Sequence, residues 1–314
     1  MFVDGRWTTS LSGETFTADS PATGEAIGEV PQGDRDDAQL AIAAANRAAD
    51  GWANATAFER ADAMVRVAEA IEARREELAR TLTLDQGKPI SEAHDEVEEL
   101  VLYWRNAAED GKRLEGRLPN SMSPGKKVLL FRRPRGVIGV ITPWNWPYTM
   151  PAELIAPALA CGNTVVWTPA STTAIAGIAL AECVVEADLP PGVFNLVTGP
   201  GSRVGDEIAR NPGTHGVGFI GSTDTGRKVA EAAAGKAAVL ELGGNGPVVV
   251  MDDADLDAAA EATVTACFLC AGQSCTAGER LLVHRDVREE FVAKLARLVT
   301  ERVVLGDPFD AATT

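Results

Sequence analysis

Between Phe58 and Leu84 apolar side chains recur at helical spacing: Val65, Ala68, Ile71 and Leu78 share one face, among Glu72, Arg74, Arg75, Glu76 and Glu77. The pattern predicts one long amphipathic helix. An alanine-rich helix precedes it, from Asp34 to about Ala53. Gly87-Lys88-Pro89 breaks the pattern, and a third helix is predicted over Ser91–Arg113. Residues 1–33 are rich in Gly, Thr, Ser and Pro, which predicts short strands and turns, most clearly a turn at Asp19-Ser20-Pro21-Ala22-Thr23-Gly24.

After Leu114 the periodicity changes. Two β-prone stretches flank Pro124-Gly125, the second containing Val128-Leu129-Leu130-Phe131. With few core partners in sight, residues 114–134 read as an extended hairpin that docks on another subunit. From Gly136 short apolar runs alternate with helical patterns. Strands are predicted at Val137–Thr142, Thr164–Thr168, Val193–Leu196, Gly216–Ile220 and Ala237–Leu242. Helices are predicted at about Pro147–Ala160, Thr173–Ala187, Ser202–Asn211 and Thr223–Ala234. This alternation implies βαβ units and a parallel sheet, which binds ligands at the C-terminal ends of its strands. A second strand–helix–strand–helix run begins near Gly243: Val248–Met251, Leu256–Phe268, Arg280–Val283 and Val287–Val299.

Charge narrows the partners. The 29 Lys and Arg against 45 Asp and Glu leave a net charge of −16. Such a surface repels phosphate backbones and argues against nucleic acid, though not against a small anionic cofactor held by local N–H groups. Five cysteines in no scaffold-like spacing predict reduced thiols and a cytoplasmic protein. His94, His215 and His284 are scattered, so no metal site is expected. The N-terminus lacks signal-peptide order. Gly136 to Ala181 carries a single charge, Glu153, but its prolines mark buried strands and helices, not a membrane span.

Several short segments could carry chemistry. Pro143-Trp144-Asn145-Trp146-Pro147 ends the first parallel strand, and its prolines fix the backbone around Asn145. That could aim an amide at a developing oxyanion, or simply form a rigid turn. Gly199-Pro200-Gly201-Ser202-Arg203-Val204-Gly205 and Phe219-Ile220-Gly221-Ser222-Thr223 each lead from a strand into a helix. Both suit a phosphate, and both suit plain capping. Glu241, at the end of an apolar strand before Gly243-Gly244, reads as a partly buried carboxylate of raised pKa fit for general-base work, or as a turn cap. Gly272-Gln273-Ser274-Cys275 places one thiol in a glycine-containing loop, whereas Cys161 and Cys183 sit in apolar runs.

In order and spacing these segments resemble the aldehyde dehydrogenase superfamily, with Gly162-Asn163-Thr164-Val165-Val166 and Asp252-Asp253-Ala254-Asp255-Leu256 adding to the match. The resemblance implies an NAD(P)-dependent, non-acylating enzyme that oxidises a small-molecule aldehyde to a carboxylic acid. It implies an α/β fold: a Rossmann-like parallel-sheet cofactor domain at 1–113 and 135–242, an oligomerisation hairpin at 114–134, and the start of an α/β catalytic domain at 243–314. It also implies that the chain is the N-terminal part, about two-thirds, of a truncated family member whose full-length parent is a homodimer or homotetramer.

By the same resemblance Cys275 is the nucleophile, Asn145 the oxyanion donor and Glu241 the base that activates water. NAD or NADP would be held by Ile141, Thr142, Pro143, Trp144, Thr168, Ser171, Gly201, Phe219, Gly221, Ser222, Val229 and Leu242. Trp146, Thr149, Glu153, Leu269, Ser274 and Thr276 would line the substrate tunnel. Thr168 stands where the family usually has a ribose-binding lysine, Ser171 where glutamate favours NAD, and Cys270 where an asparagine is common. Glu153 is an unusual charge at its position. Two alternatives stand beside the main reading: a succinate-semialdehyde dehydrogenase-like activity, and an inactive dinucleotide-binding fragment.

Overall fold

The computed structural model describes all 314 residues. The first strands are β1 (Phe2–Val3), β2 (Arg6–Trp7), β3 (Thr15–Asp19) and β4 (Ala26–Pro31). Four helices follow: α1 (Arg35–Asn54), α2 (Ala57–Ala73), α3 (Arg75–Gln86) and α4 (Ile90–Lys112). The alternating region gives β5 (Val137–Ile141), α5 (Thr149–Ala160), β6 (Thr164–Thr168), α6 (Ala174–Glu186) and β7 (Phe194–Leu196). It continues through α7 (Asp206–Arg210), β8 (Gly216–Gly221), α8 (Thr223–Ala232) and β9 (Ala237–Leu242). The last unit is β10 (Gly246–Val250), α9 (Leu256–Phe268), β11 (Gly278–Val283) and α10 (Arg288–Arg302).

The main sheet has seven strands in the order β2-β1-β7-β6-β5-β8-β9. Strands β5 to β9 are parallel, and β1 joins β7 antiparallel through Phe2 opposite Leu196. The chain winds outward from β5 through β6 to β7, then returns to β8 on the other side of β5. That reversal opens a crevice at the C-terminal ends of β5 and β8, where open α/β sheets take ligands.

Alternation along β6 shows why both faces are covered. Val165 and Trp167 join the core formed with Met64, Ile71, Leu100 and Leu180, while Val166 joins Ile42, Val137 and Ile208 on the opposite face. Two reciprocal capping boxes start helices on time: Asp34 with Asp37 for α1, and Thr56 with Glu59 for α2.

The structure corrects two expected elements. The long helix over Phe58–Leu84 is two helices, broken at Arg74. Its guanidinium pairs with Glu77, Glu182 and Glu186, which ties the break to α6. Residues 114–134 form no regular strands. A single antiparallel bridge joins Arg117 to Leu130, and Pro119 and Pro124 cannot donate to a ladder. The arm leaves Leu118, Met122 and Phe131 exposed.

Strands β10 and β11 form a separate two-stranded parallel sheet. Helices α9 and α10 cover one face through Ala260, Val264, Phe291 and Leu298; Val249 and Leu282 are exposed on the other. No helix is long and apolar enough to cross a membrane.

Candidate active site

A cavity of about 580 Å³ lies where the Pro143–Pro147 loop, the ends of β8 and β9, and the loop before β11 converge. Asn145, Glu241 and Cys275 all line it. Three distant stretches of sequence therefore deliver an amide, a carboxylate and a thiol to one wall.

Cys275 is exposed, in contrast to the buried Cys183 and Cys270. Its backbone N–H has no intramolecular partner, so it is free to meet a ligand. The loop before it is held in an uncommon backbone conformation. Cys270 and Ala271 both have φ 53°, followed by Gly272 at φ 74°. Left-handed geometry at two successive non-glycine residues costs on the order of 1–2 kcal/mol each. Contacts from elsewhere hold the turn. Glu92 accepts the Cys270 N–H at 2.9 Å, and the Cys270 thiol donates to the Asn145 carbonyl at 3.4 Å. Burial pushes the Cys270 thiol above the ordinary cysteine range, with Lys88 and the Gln86 hydrogen bond acting the other way.

The Asn145 side chain donates from Nδ2 to the carbonyl of Gln273 at 2.8 Å, two residues before Cys275. Its backbone carbonyl gathers three donors: Gln86 Nε2 at 3.1 Å, Lys88 Nζ at 3.2 Å and the Cys270 thiol. Lys88 and Glu96 form a fully buried ion pair at 2.5 Å. The other Glu96 oxygen accepts the backbone N–H groups of Tyr148 and Thr149 at the start of α5. The Lys88 ammonium also lies 3.6 Å from the centroid of the Trp146 ring. Nothing in the sequence pattern marks Gln86, Lys88, Glu92 or Glu96 as part of this site. Lys88 lies in the helix-breaking Gly87-Lys88-Pro89 segment, and nothing local links it to residues more than fifty positions on.

Glu241 differs from the expected partly buried carboxylate. It is exposed at the end of β9, the edge strand of the main sheet, where water has direct access. Gly243 and Gly244 let the chain turn away beside the Cys275 loop. A Cβ on Gly244 would sit 3.4 Å from the Cys275 carbonyl oxygen.

The residues expected to contact cofactor fall into separate places. Pro143, Trp144, Gly221, Ser222 and Leu242 line the cavity that holds Cys275. Ile141, Gly201, Phe219 and Val229 line a second cavity of about 460 Å³ at the β5/β8 reversal, together with Lys228. Ile141 lies opposite Phe219 in the sheet register, which sets the floor of that crevice. Ser171 lines a different groove and donates to the Gly199 carbonyl at 3.0 Å. Thr142 and Thr168 are buried and line neither cavity. Thr142 accepts the Trp167 indole N–H, and the Thr168 hydroxyl has no partner.

Of the residues expected to meet substrate, Glu153, Ser274 and Thr276 line the Cys275 cavity. Trp146 faces Lys88, Thr149 is buried at the start of α5, and Leu269 is partly exposed outside the cavity lining. Met150, Ile220, Gln273 and Glu279 are additional lining residues.

The class these features define is a doubly wound α/β protein with a crevice at its strand reversal and a separate cavity lined by an exposed cysteine. Comparison with known proteins gives the family. The sequence profile of the "Aldehyde dehydrogenase family" matches residues 7–314, and the chain belongs to that family. It is 40% identical over 314 residues to a succinate-semialdehyde dehydrogenase [NADP(+)] of Escherichia coli (strain K12), covering 99% of this chain and 65% of that relative. Among solved structures it resembles an E. coli NADP-dependent enzyme with a TM-score of 0.98 at 39% identity, covering 100% of this chain and 65% of the other. It also resembles a Staphylococcus aureus betaine aldehyde dehydrogenase variant in complex with NAD+, with a TM-score of 0.96 at 34% identity and coverage of 100% and 64%. The chain thus spans about 65% of the length of curated relatives that it matches.

Proposed function

We propose that this chain carries the nucleophile and cofactor crevice of an NAD(P)-dependent, non-acylating aldehyde dehydrogenase. The observation that supports this most is the convergence of Asn145, Glu241 and Cys275 on one cavity next to the β5/β8 crevice.

The residues of the crevice fit a dinucleotide. Gly201 faces open space, so a ligand can approach its backbone. Ser222 caps α8 through its hydroxyl and leaves the first N–H groups of that helix for an anion. Lys228, on the crevice wall, has no acidic partner. Ile141, Phe219 and Val229 would flank the adenosine end, and Trp144, Gly221, Ser222 and Leu242 would lead toward Cys275. Held there by Trp144, Gly221, Ser222 and Leu242, the cofactor would supply the hydride acceptor for the oxidation.

The chain's own residues perform the remaining steps. The Cys275 thiolate attacks the aldehyde carbon, a C–S bond forms, and the carbonyl oxygen becomes an oxyanion. The free Cys275 N–H and the second Nδ2 proton of Asn145 would hold that charge. After hydride loss the carbon is a thioester on Cys275. Glu241, open to solvent, takes a proton from water, whose oxygen attacks the thioester and releases the acid and the thiolate. A water-activating carboxylate favours a free acid over acyl transfer to a second thiol.

A second reading, succinate-semialdehyde oxidation, is favoured by the similarity to the E. coli relative of that name. The exposed apolar residues of the 114–134 arm support docking on a second copy of the chain. The free cysteines suit a reducing, cytoplasmic setting. The function is tested by reduced-nicotinamide formation across aliphatic, aromatic and semialdehyde substrates, with Cys275→Ala as control. Cofactor binding without turnover would instead support a dinucleotide-binding protein.

A further inference from the structure

Several hydrogen bonds meet at Cys270, which is only 3% exposed. Its N–H donates to Glu92 Oε2, 2.9 Å away on the first turn of α4. Its carbonyl accepts the backbone N–H of Gln273 at 2.9 Å and the Gln273 side-chain amide at 3.0 Å. Its thiol donates to the Asn145 carbonyl. The Gln273 carbonyl in turn accepts the Asn145 amide at 2.8 Å. The orientation of Cys270 thus fixes where Gln273 sits, and with it both the Asn145 amide and the approach to Cys275. That orientation is disfavoured on its own. Cys270 and Ala271 both hold φ 53°, a region that residues with a Cβ enter only at a cost. Ala271 is exposed, so its side chain brings no packing to offset that cost. Glu92 is half-buried, 178 positions away in sequence, and it satisfies the backbone donor that the left-handed turn directs at α4.

We infer that Glu92 is a positioning residue: its side chain holds the Cys270–Gly272 turn in the left-handed form and so sets Cys275 against the Asn145 amide. The inference rests on the reading of Cys275 as nucleophile given above and adds a residue of α4 to it. Without this acceptor the Cys270 N–H loses its partner, and the turn relaxes toward ordinary negative φ. Relaxation would swing the Gln273 carbonyl, release the Asn145 amide and displace Cys275. A misplacement of about 1 Å at a reacting group is enough to cost on the order of a hundredfold in rate. The role is distinct from that of Lys88 and Glu96, which act on the Asn145 backbone carbonyl and on the start of α5.

The test measures kcat and KM for pentanal in wild type, Glu92→Ala, Glu92→Gln, Ala271→Gly and the double variant Glu92→Ala with Ala271→Gly. Glu92→Ala should lower kcat by about 10- to 100-fold and leave KM nearly unchanged. Glutamine keeps an oxygen acceptor for the Cys270 N–H, so Glu92→Gln should retain most of the activity. Glycine enters the left-handed region freely, so Ala271→Gly should be near wild type alone yet recover turnover severalfold in the Glu92→Ala background. A kcat unchanged in Glu92→Ala overturns the inference. So does a loss that neither glutamine nor Ala271→Gly relieves, which would mark a general structural role. Absence of turnover in wild type overturns the underlying function instead. A second arm then decides the inference without turnover: hydrogen exchange followed by mass spectrometry in wild type, Glu92→Ala and Glu92→Gln. Faster exchange over residues 269–276 in Glu92→Ala, with α9 unchanged and Glu92→Gln close to wild type, supports it. Unchanged exchange over 269–276, or equally faster exchange throughout the chain, contradicts it. Should Glu92→Ala fail to fold, Glu92→Gln with and without Ala271→Gly carries the same comparison: a smaller loss relieved by glycine supports the inference, and a loss not relieved overturns it.

Discussion

Lys88 donates to the backbone carbonyl of Asn145 at 3.2 Å while paired at 2.5 Å with Glu96, and both side chains of that ion pair are fully buried. One ammonium thus links the end of α3, the body of α4 and the loop that presents the Asn145 amide. Lys88→Met would strand a buried carboxylate, so it should destabilise the fold by roughly 3–5 kcal/mol. The double replacement Lys88→Met with Glu96→Leu should recover most of that loss. Urea unfolding of the single and double variants checks both statements. Equal loss in the two would show that the packing, not the charge pair, matters.

Asn145→Ala removes one of two expected oxyanion donors. The expected outcome is a fall in kcat of about 10²–10³-fold, with KM changed far less. A drop confined to KM would place the amide on the substrate, not on the transition state.

Glu241→Gln separates the two halves of the reaction. In the proposed mechanism hydride transfer does not need this residue, so a burst of reduced nicotinamide should survive. Steady turnover should fall by about 10²–10⁴-fold as thioester accumulates on Cys275. Rapid-mixing absorbance and intact-mass measurements read the two steps separately. Loss of the burst itself would remove Glu241 from the water-activating role.

Burial raises the Asp85 carboxyl from 3.8 to about 6, against hydrogen bonds from the backbone N–H groups of Ala176 and Ile175 at the start of α6. The folded value lies above the unfolded one, so folding favours the protonated acid. Its stabilising contribution is complete below about pH 4 and is lost as pH rises through about 6. Asp85→Asn keeps the acceptor without the charge. It should raise stability at neutral pH by on the order of 1–3 kcal/mol and flatten the decline over that window. Melting temperatures between pH 4 and pH 8, roughly spaced by one unit, would show it. A variant that is less stable than wild type at neutral pH would refute the sign.

The parallel strands were legible because buried β-strands read as short apolar runs between turn signals. The cysteine in a glycine-containing loop was legible because its neighbours are polar. The break at Arg74 was not, because the apolar stripe runs through it and the partners that stabilise it, Glu182 and Glu186, lie over a hundred residues away. The exposure of Glu241 was hidden for a related reason. An apolar run does not reveal that its strand ends the sheet, so the carboxylate read as enclosed. Thr168 shows the same limit at a single residue: the apolar run of β6 does not reveal that the hydroxyl at its end is buried without a partner.

The proposed oxidation runs through the thiol of Cys275. Its most direct test is reduced-nicotinamide formation by wild type and by Cys275→Ala, each with NAD+ and NADP+ in the presence of aldehyde. The expected outcome is turnover in wild type, abolished in Cys275→Ala while cofactor binding is retained. Undiminished turnover in Cys275→Ala would contradict it.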